Sequence, residues 1–432
     1  MEDFKYYKNF ALRRNIGIHT LEFSARLSKT VFLGIYCRLY SYMASRHKKD
    51  PTKFPNIDMY PNVNGADYEH SIFSKHIGKY PYISITYGIR IELSNYDEFA
   101  HIKFIVDPIL FMTSRSKDFD PDTYDYLQIM PIDDYMFIKR FVGKFFDFLT
   151  IQRIPDYVIA QICLTRADFC ANISIKGRFN LKKYFQYMRI LPKYLRFNDK
   201  NQYKGIDTGD ECQCLQRSKY QNMVKFGNGC HLITMYDKIA EQRDHFNRKF
   251  KDNRLLRIEY QVLNSKIKTI AENAISDGYF GEEYKLWYNS DSFGTNLVDD
   301  LWLLANISPY AILNAICVTF PDATIRSRAA TFKKISKIEC GKKTKNAMCE
   351  FVDMMSKSTS HSDMKDRIKS FKGMYGDNCY YRVIHLLEEN DIAPIYMSDD
   401  DVRSLSATSL PSVRDIFLSA IKNDIEENHK LD

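Results

Sequence analysis

Three segments of this chain, Ala160–Ile173, His231–Asp237 and Leu255–Leu263, read as strands whose side chains alternate with a period of two, and the first and third keep their charges on one side. Successive side chains of a strand point to opposite faces, so residues two apart share a face. On the first segment Ile162, Leu164, Arg166, Asp168, Cys170 and Asn172 share one, and on the second Leu232, Thr234, Tyr236 and Lys238 do. On the third, Leu255, Arg257, Glu259, Gln261 and Leu263 share one. The opposite faces, with Ala167, Phe169 and Ala171 or Leu256, Ile258, Tyr260 and Val262, are largely apolar and predict a covered core. Gly88–Leu93 repeats the pattern with Arg90 and Glu92, and Ile102–Val106 reads as its pairing strand, ended by Asp107 and Pro108. The expected fold is therefore α+β: an antiparallel-leaning central sheet with one polar, catalytic face, plus a mostly helical C-terminal domain.

Apolar residues at helical spacing predict helices over 134–150, 181–197 with a break at Pro192, 267–277, 297–306 and 309–318. Phe32–Met43 reads as a buried segment, and 198–222 as a loop or irregular hairpin. The expected division is an N-terminal region of unassigned role over 1–80, a catalytic domain over 81–270, and a helical, partly basic accessory domain over 271–432 that binds DNA.

With 45% hydrophobic residues in 432, a large core is available and wholesale disorder is excluded. The net charge of +8 is compatible with a nucleic-acid partner without requiring one. The 10 cysteines form no pair of Cys-x-x-Cys motifs, so a structural zinc site is not expected. No apolar run of about 18 residues and no leader-like opening is present, which predicts a cytoplasmic protein with free thiols and no membrane partner.

The polar face carries the chemistry-bearing residues. Carboxylates that converge repel each other unless a cation lies between them, and Mg²⁺ or Mn²⁺ prefers such oxygen donors. A tyrosine hydroxyl beside cations becomes a nucleophile, and Lys238 and Arg257 are placed to balance a phosphate under attack. Spacing alone is equally met by a solvated sheet face with ordinary Arg–Glu cross-strand pairs.

Thr165-Arg166-Ala167-Asp168, Met235-Tyr236-Asp237-Lys238-Ile239-Ala240-Glu241 and Leu256-Arg257-Ile258-Glu259 occur in that order. This resembles the replication initiators of filamentous phages and rolling-circle plasmids, and the related nicking relaxases of integrative elements. The resemblance covers roughly residues 80–270. It implies site-specific nicking and rejoining of one origin strand through a tyrosyl phosphate, in a metal-dependent reaction. It implies Tyr236 as nucleophile, Lys238 and Arg257 on the phosphate, and Asp168, Glu241 and Glu259 as holders of Mg²⁺ or Mn²⁺. Family members often carry a second tyrosine in the preceding strand. Here that position is Phe226, which leaves Tyr220 as the alternative nucleophile. The expected partners are origin DNA, double- and single-stranded, with a host helicase and polymerase, and the assembly expected is a homodimer.

Eight of the 20 residues from 326 to 345 are Lys or Arg, and only Glu339 is acidic. Read as one helix, the run points Arg326, Lys333, Lys334 and Lys337 into a single sector. With Arg328, Lys342, Lys343 and Arg166 these are the expected DNA contacts. The aromatic helix with Tyr184, Phe185, Tyr187 and Met188 suits either core packing or base stacking, with core the stronger reading. Gly227-Asn-Gly229 lacks the Lys-Ser/Thr of a phosphate loop and reads as a hairpin turn. Two further function classes stay open: a DNA-binding protein without catalysis, and a nuclease that cuts with metal-activated water.

Overall fold

The computed structural model describes residues 15–49, 58–60, 66–72, 88–96, 98–114, 128–131, 134–175, 180–190, 223–227, 230–241, 254–263, 265–279, 294, 296–359, 361–405 and 407–428. In chain order the elements are β1 (Ile16–Leu27), α1 (Lys29–Lys49), β2 (Asp58–Tyr60), β3 (Ala66–Ile72), β4 (Ile89–Tyr96), β5 (Ala100–Val106) and α2 (Pro108–Thr113). Next come β6 (Met130–Pro131), α3 (Tyr135–Ile151), α4 (Asp156–Ile159), β7 (Cys163–Ile175), α5 (Leu181–Ile190), β8 (Met223–Gly227), β9 (His231–Asp237) and β10 (Arg254–Leu263). Helices then dominate: α6 (Ser265–Ser276), α7 (Leu297–Asn306), α8 (Ser308–Thr319), α9 (Arg328–Ser336), α10 (Lys342–Ser356), α11 (His361–Tyr375), α12 (Asp377–Glu389), α13 (Asp399–Leu405) and α14 (Val413–Asn428). Two short strands, β11 (Ile325–Arg326) and β12 (Ser409–Leu410), pair among them. The chain is thus mixed helix and sheet with antiparallel pairing, as the α+β reading expects.

The contacts divide the chain into two compact units, residues 1–171 with 261–311, and residues 172–260 with 312–432. The chain passes between them at 171/172, 260/261 and 311/312.

In the first unit the strand order is β2–β3–β4–β5–β1–β7, with β6 on β1. The register sets Ile91 beside Phe104 and Phe104 beside Phe23, so one face is a continuous apolar layer. Helix α3 covers such a layer because its apolar residues recur every three or four positions. Ile138, Phe141, Val142, Phe145, Phe148 and Leu149 are all buried. The Phe145 ring lies 4.7 Å from that of Phe23 and 5.8 Å from that of Phe104. The helix starts at Asp134, whose carboxylate accepts the Phe137 amide at 2.7 Å. Helix α1 departs from the buried segment expected over 32–43. Phe32 and Ile35 are buried, whereas Leu33 is exposed, so it is one-sided.

In the second unit the order is β7–β10–β9–β8, with β7 entering at Asn172. Strands β8 and β9 pair antiparallel with Gly227 opposite Leu232, as the hairpin reading expects. A Cβ at Gly227 would sit 2.3 Å from the His231 carbonyl oxygen, so only glycine fits there. In α5, Tyr184, Phe185, Tyr187 and Met188 are core residues, as the stronger reading has it. Residues 191–222, with Tyr220, lie outside the described residues. Helices α10, α11 and α12 meet through the rings of Phe351, Phe371 and Tyr380.

No single helix among the described residues is long and apolar enough to cross a membrane. The pair α7 and α8 passes by length and composition together but bends by 54°.

One buried charge in the first unit has a measurable consequence. Asp300 of α7 accepts the Gly294 amide at 2.9 Å, and burial pushes its carboxyl up from 3.8 to about 6. A carboxyl raised on folding binds its proton more tightly in the native state. Its contribution is therefore complete below pH 3.8 and is lost as pH rises through about 6. The substitution Asp300→Asn, which keeps the acceptor for Gly294, is expected to leave stability at pH 4 little changed. At pH 7.5 it should raise it by up to about 3 kcal/mol. Denaturant unfolding at the two pH values checks this, and an equal effect at both would refute the buried-carboxylate assignment.

Candidate functional site

The cluster in the second unit is built around Arg257, which has 0% of its surface exposed. A guanidinium that deep costs several kcal/mol unless its donors and charge are met. Its Nε donates to Asn172 Oδ1 at 2.7 Å, and its Nη1 lies 3.8 Å from Glu259 Oε1. That same carboxylate oxygen accepts the Tyr236 hydroxyl at 2.6 Å. The alternation read from the sequence thus brings Tyr236, Arg257 and Glu259 together. The face is partly covered: Tyr236 is 7% exposed and Lys238 5%, while Thr234, Glu259 and Gln261 are half-buried.

The segment Tyr236-Asp237-Lys238-Ile239-Ala240-Glu241 has a local explanation. The strand stops at Asp237, whose Oδ1 accepts the amides of Ile239 and Ala240 at 3.1 and 3.0 Å and opens a helical turn. On that turn Lys238 and Glu241, three apart, stand side by side, with Nζ 2.7 Å from Oε2. The Lys238 ammonium also lies 5.6 Å from the centre of the Tyr236 ring. Burial, and next the Arg257 charge, lower the Lys238 pKa from 10.5, while Glu241 and Glu259 pull it back up. Five of the expected site residues, Tyr236, Lys238, Glu241, Arg257 and Glu259, therefore form one network.

Asp168 belongs to the first unit. Arg166, two residues earlier on the same face, grips it with Nε at 2.7 Å and Nη2 at 2.5 Å, a forked pair. Arg166 is therefore engaged by a carboxylate within its own strand. In register with it on β1 is Glu22, whose Oε1 accepts the Thr165 hydroxyl at 3.0 Å and lies 3.8 Å from Lys103 Nζ. Arg90 and Glu92 pair at 3.0 Å on β4. Glu22, Lys103 and Asn172 complete these networks; alternation places Asn172 on the polar face, whereas Glu22 and Lys103 carry no local sequence signal. Glu22 and Thr165 lie 143 residues apart, and Asn172 and Arg257 lie 85 apart.

Each of the three carboxylates expected to hold Mg²⁺ or Mn²⁺ has a partner of its own. Asp168 is held by Arg166, Glu241 by Lys238, and Glu259 by Tyr236 and Arg257. Among the described residues, no three His, Cys, Asp or Glu side chains come together in a way that can hold a metal ion.

The basic run is not one helix. Arg326 lies on β11, and two helices follow, α9 after its cap Ser327 and α10 after Gly341. Ser327 interrupts the helical sector because its hydroxyl accepts the Ala330 amide and starts a new helix. The Arg326 guanidinium is bound to the Asp391 carboxylate, and Lys334 Nζ lies 2.9 Å from the same carboxylate. Arg328 pairs with Asp353 at 3.1 Å. Lys333, Lys337, Lys342 and Lys343 are exposed. No known protein-family model matches this chain, and no curated protein matches it significantly.

Removing Arg257 takes away the donor 2.7 Å from Asn172 Oδ1 and a cation 3.8 Å from Glu259. Arg257→Ala is expected to cost about 3–5 kcal/mol of unfolding free energy. The double change Arg257→Met with Glu259→Gln should recover part of that loss, because no uncompensated charge stays buried. Urea unfolding of the three proteins tests it. A loss under about 1 kcal/mol in Arg257→Ala would show that the guanidinium is not held as described.

Proposed function

We propose that this chain is a replication initiator of the rolling-circle type that nicks and rejoins one DNA strand through Tyr236. The observation that carries the reading is the 2.6 Å hydrogen bond from the Tyr236 hydroxyl to Glu259, with Lys238 and Arg257 in the same network. A nucleophile bonded to a base, with cations beside it, is the arrangement tyrosyl transfer needs. Glu259 takes the phenolic proton as the Tyr236 oxygen attacks phosphorus. The bond from phosphorus to the 3′ oxygen breaks, and the proton passes to that oxygen. The product is a tyrosyl 5′-phosphate and a free 3′-hydroxyl able to prime a polymerase. One phosphoester replaces another, so no nucleotide hydrolysis is called for. Asn172, through Arg257, is a positioning residue, and the Lys238–Glu241 pair sets the cation against the tyrosine.

A second reading is a DNA-binding protein without catalysis. It is favoured by the burial of the cluster, with Arg257 at 0% and Tyr236 at 7% exposure, and by the pairing of every expected carboxylate. On that reading the network is a structural solution to a buried charge.

Incubation with supercoiled DNA carrying the flanking sequence of the gene, with Mg²⁺ or Mn²⁺ supplied, followed by denaturing gels, decides between them. The expected result is a protein-linked nicked strand that Tyr236→Phe abolishes and that Glu259→Gln slows about 100- to 10,000-fold. Nicking without an adduct means water is the nucleophile. No cleavage, with salt-sensitive binding retained, makes the binding-only reading the correct one.

A further inference from the structure

We propose that the corner between α9 and α10, carrying Lys333, Lys337, Lys342 and Lys343, binds the phosphate backbone of DNA without reading its sequence. The inference rests on the reading above of a DNA-acting protein and narrows where it makes contact. Of the cations in the run, Arg326 and Lys334 are bound to Asp391, and Arg328 to Asp353. Those three serve the fold. Of the five remaining lysines, Lys345 is half-buried and the other four are exposed, and among the described residues none of those four ammonium groups has an acidic partner within ion-pair distance. Glu339 is the one acid between Arg328 and Cys349.

Lys345 joins the two helix ends. Its Nζ donates to the Ser336 carbonyl oxygen at 2.7 Å, which ties the first turn of α10 to the last residue of α9. The lysine pairs at 333/337 and 342/343 therefore flank one short connection. They are not equivalent. Cations at a helix C-terminus relieve the helix dipole, so Lys333 and Lys337 at the end of α9 are stable without a ligand. Lys342 and Lys343 open α10, where the dipole is positive. No acid stands in that first turn, and the capping Gly341 offers no side-chain acceptor. Charge is thus concentrated against the local field, and an anion relieves it.

The partner that fits is a chain of phosphates. Lysine meets phosphate as a point charge, without the planar fork that selects one orientation. A membrane surface fits less well, because none of the exposed large apolar side chains among the described residues lies between 326 and 345.

The test measures binding of the full chain to duplex DNA by fluorescence anisotropy from 50 to 200 mM salt. Wild type is compared with a variant in which all four lysines become Gln, and with one in which all four become Arg. Each phosphate contact adds about 0.9 to the slope of log affinity against log salt, so the Gln variant should lose about 3.6 from that slope. At 50 mM salt it should also bind many-fold more weakly, while the Arg variant keeps both. Its thermal midpoint should equal or exceed that of wild type, which separates lost contacts from lost folding. DNA binding with an unchanged slope in the Gln variant overturns this inference and leaves the nicking reading standing. Equal weakening toward acidic peptide or anionic vesicles, with DNA binding unaltered, overturns it as well. No DNA binding by the wild-type chain overturns both.

Discussion

The guanidinium of Arg257 is the constraint around which the strands of the second unit are arranged. A charge with none of its surface in water persists only where donors and counter-charge are supplied by the fold. Strand β7 supplies Asn172, and β10 itself supplies Glu259 two residues on. Glu259 then has an oxygen to share, and β9 meets it with the Tyr236 hydroxyl. Three strands are thus fixed in register by one buried cation as well as by backbone pairing. Such networks are costly when incomplete, so each member constrains its neighbours.

This arrangement bears directly on chemistry. A tyrosine is a poor nucleophile while it holds its proton, and the carboxylate bonded to it is the natural acceptor. Arg257 Nη1 lies 3.8 Å from that same carboxylate, so the tyrosine hydroxyl and the guanidinium meet at one oxygen. The Lys238 ammonium is lowered from its ordinary range chiefly by burial, which eases its loss of charge and leaves Arg257 as the permanent cation. What opposes catalysis is access, because Tyr236 presents only 7% of its surface.

The local layers of this architecture were legible in the sequence. Strict alternation located β4, β5, β9 and β10, and three- and four-residue spacing located α3, α6, α7 and α8 almost to their ends. Asp134 and Asp107 cap α3 and α2 by accepting the Phe137 and Leu110 amides, roles that the spacing alone did not assign. The grouping of Tyr236, Arg257 and Glu259 followed from alternation plus an assumed adjacency of their strands. What did not follow is everything set by distant pairing. Glu22, Lys103 and Asp391 meet their partners across long stretches of chain, and no local pattern marks them; alternation put Asn172 on the polar face but not against Arg257. Nor did alternation reveal that Tyr236, Lys238 and Arg257 are buried. A buried Arg beside a Glu and an exposed pair of the same type have identical spacing.

The same limit explains the basic run, which composition presents as one feature and the fold treats as two. Acids brought from residues 353 and 391 neutralise Arg326, Arg328 and Lys334, and these cations hold β11 and α9 to α10 and to the turn after α12. Four exposed lysines with no such acid among the described residues cluster where one helix ends and another begins. Helix ends carry partial charges of opposite sign, so equal lysines there differ in energy: comfortable at the end of α9, unfavourable at the start of α10. Counting charges along the sequence cannot separate these roles. Tracing each cation to its acid and to the nearest helix end does. A run of eight basic residues thus contains both a clasp within the fold and four exposed lysines without an acidic partner among the described residues.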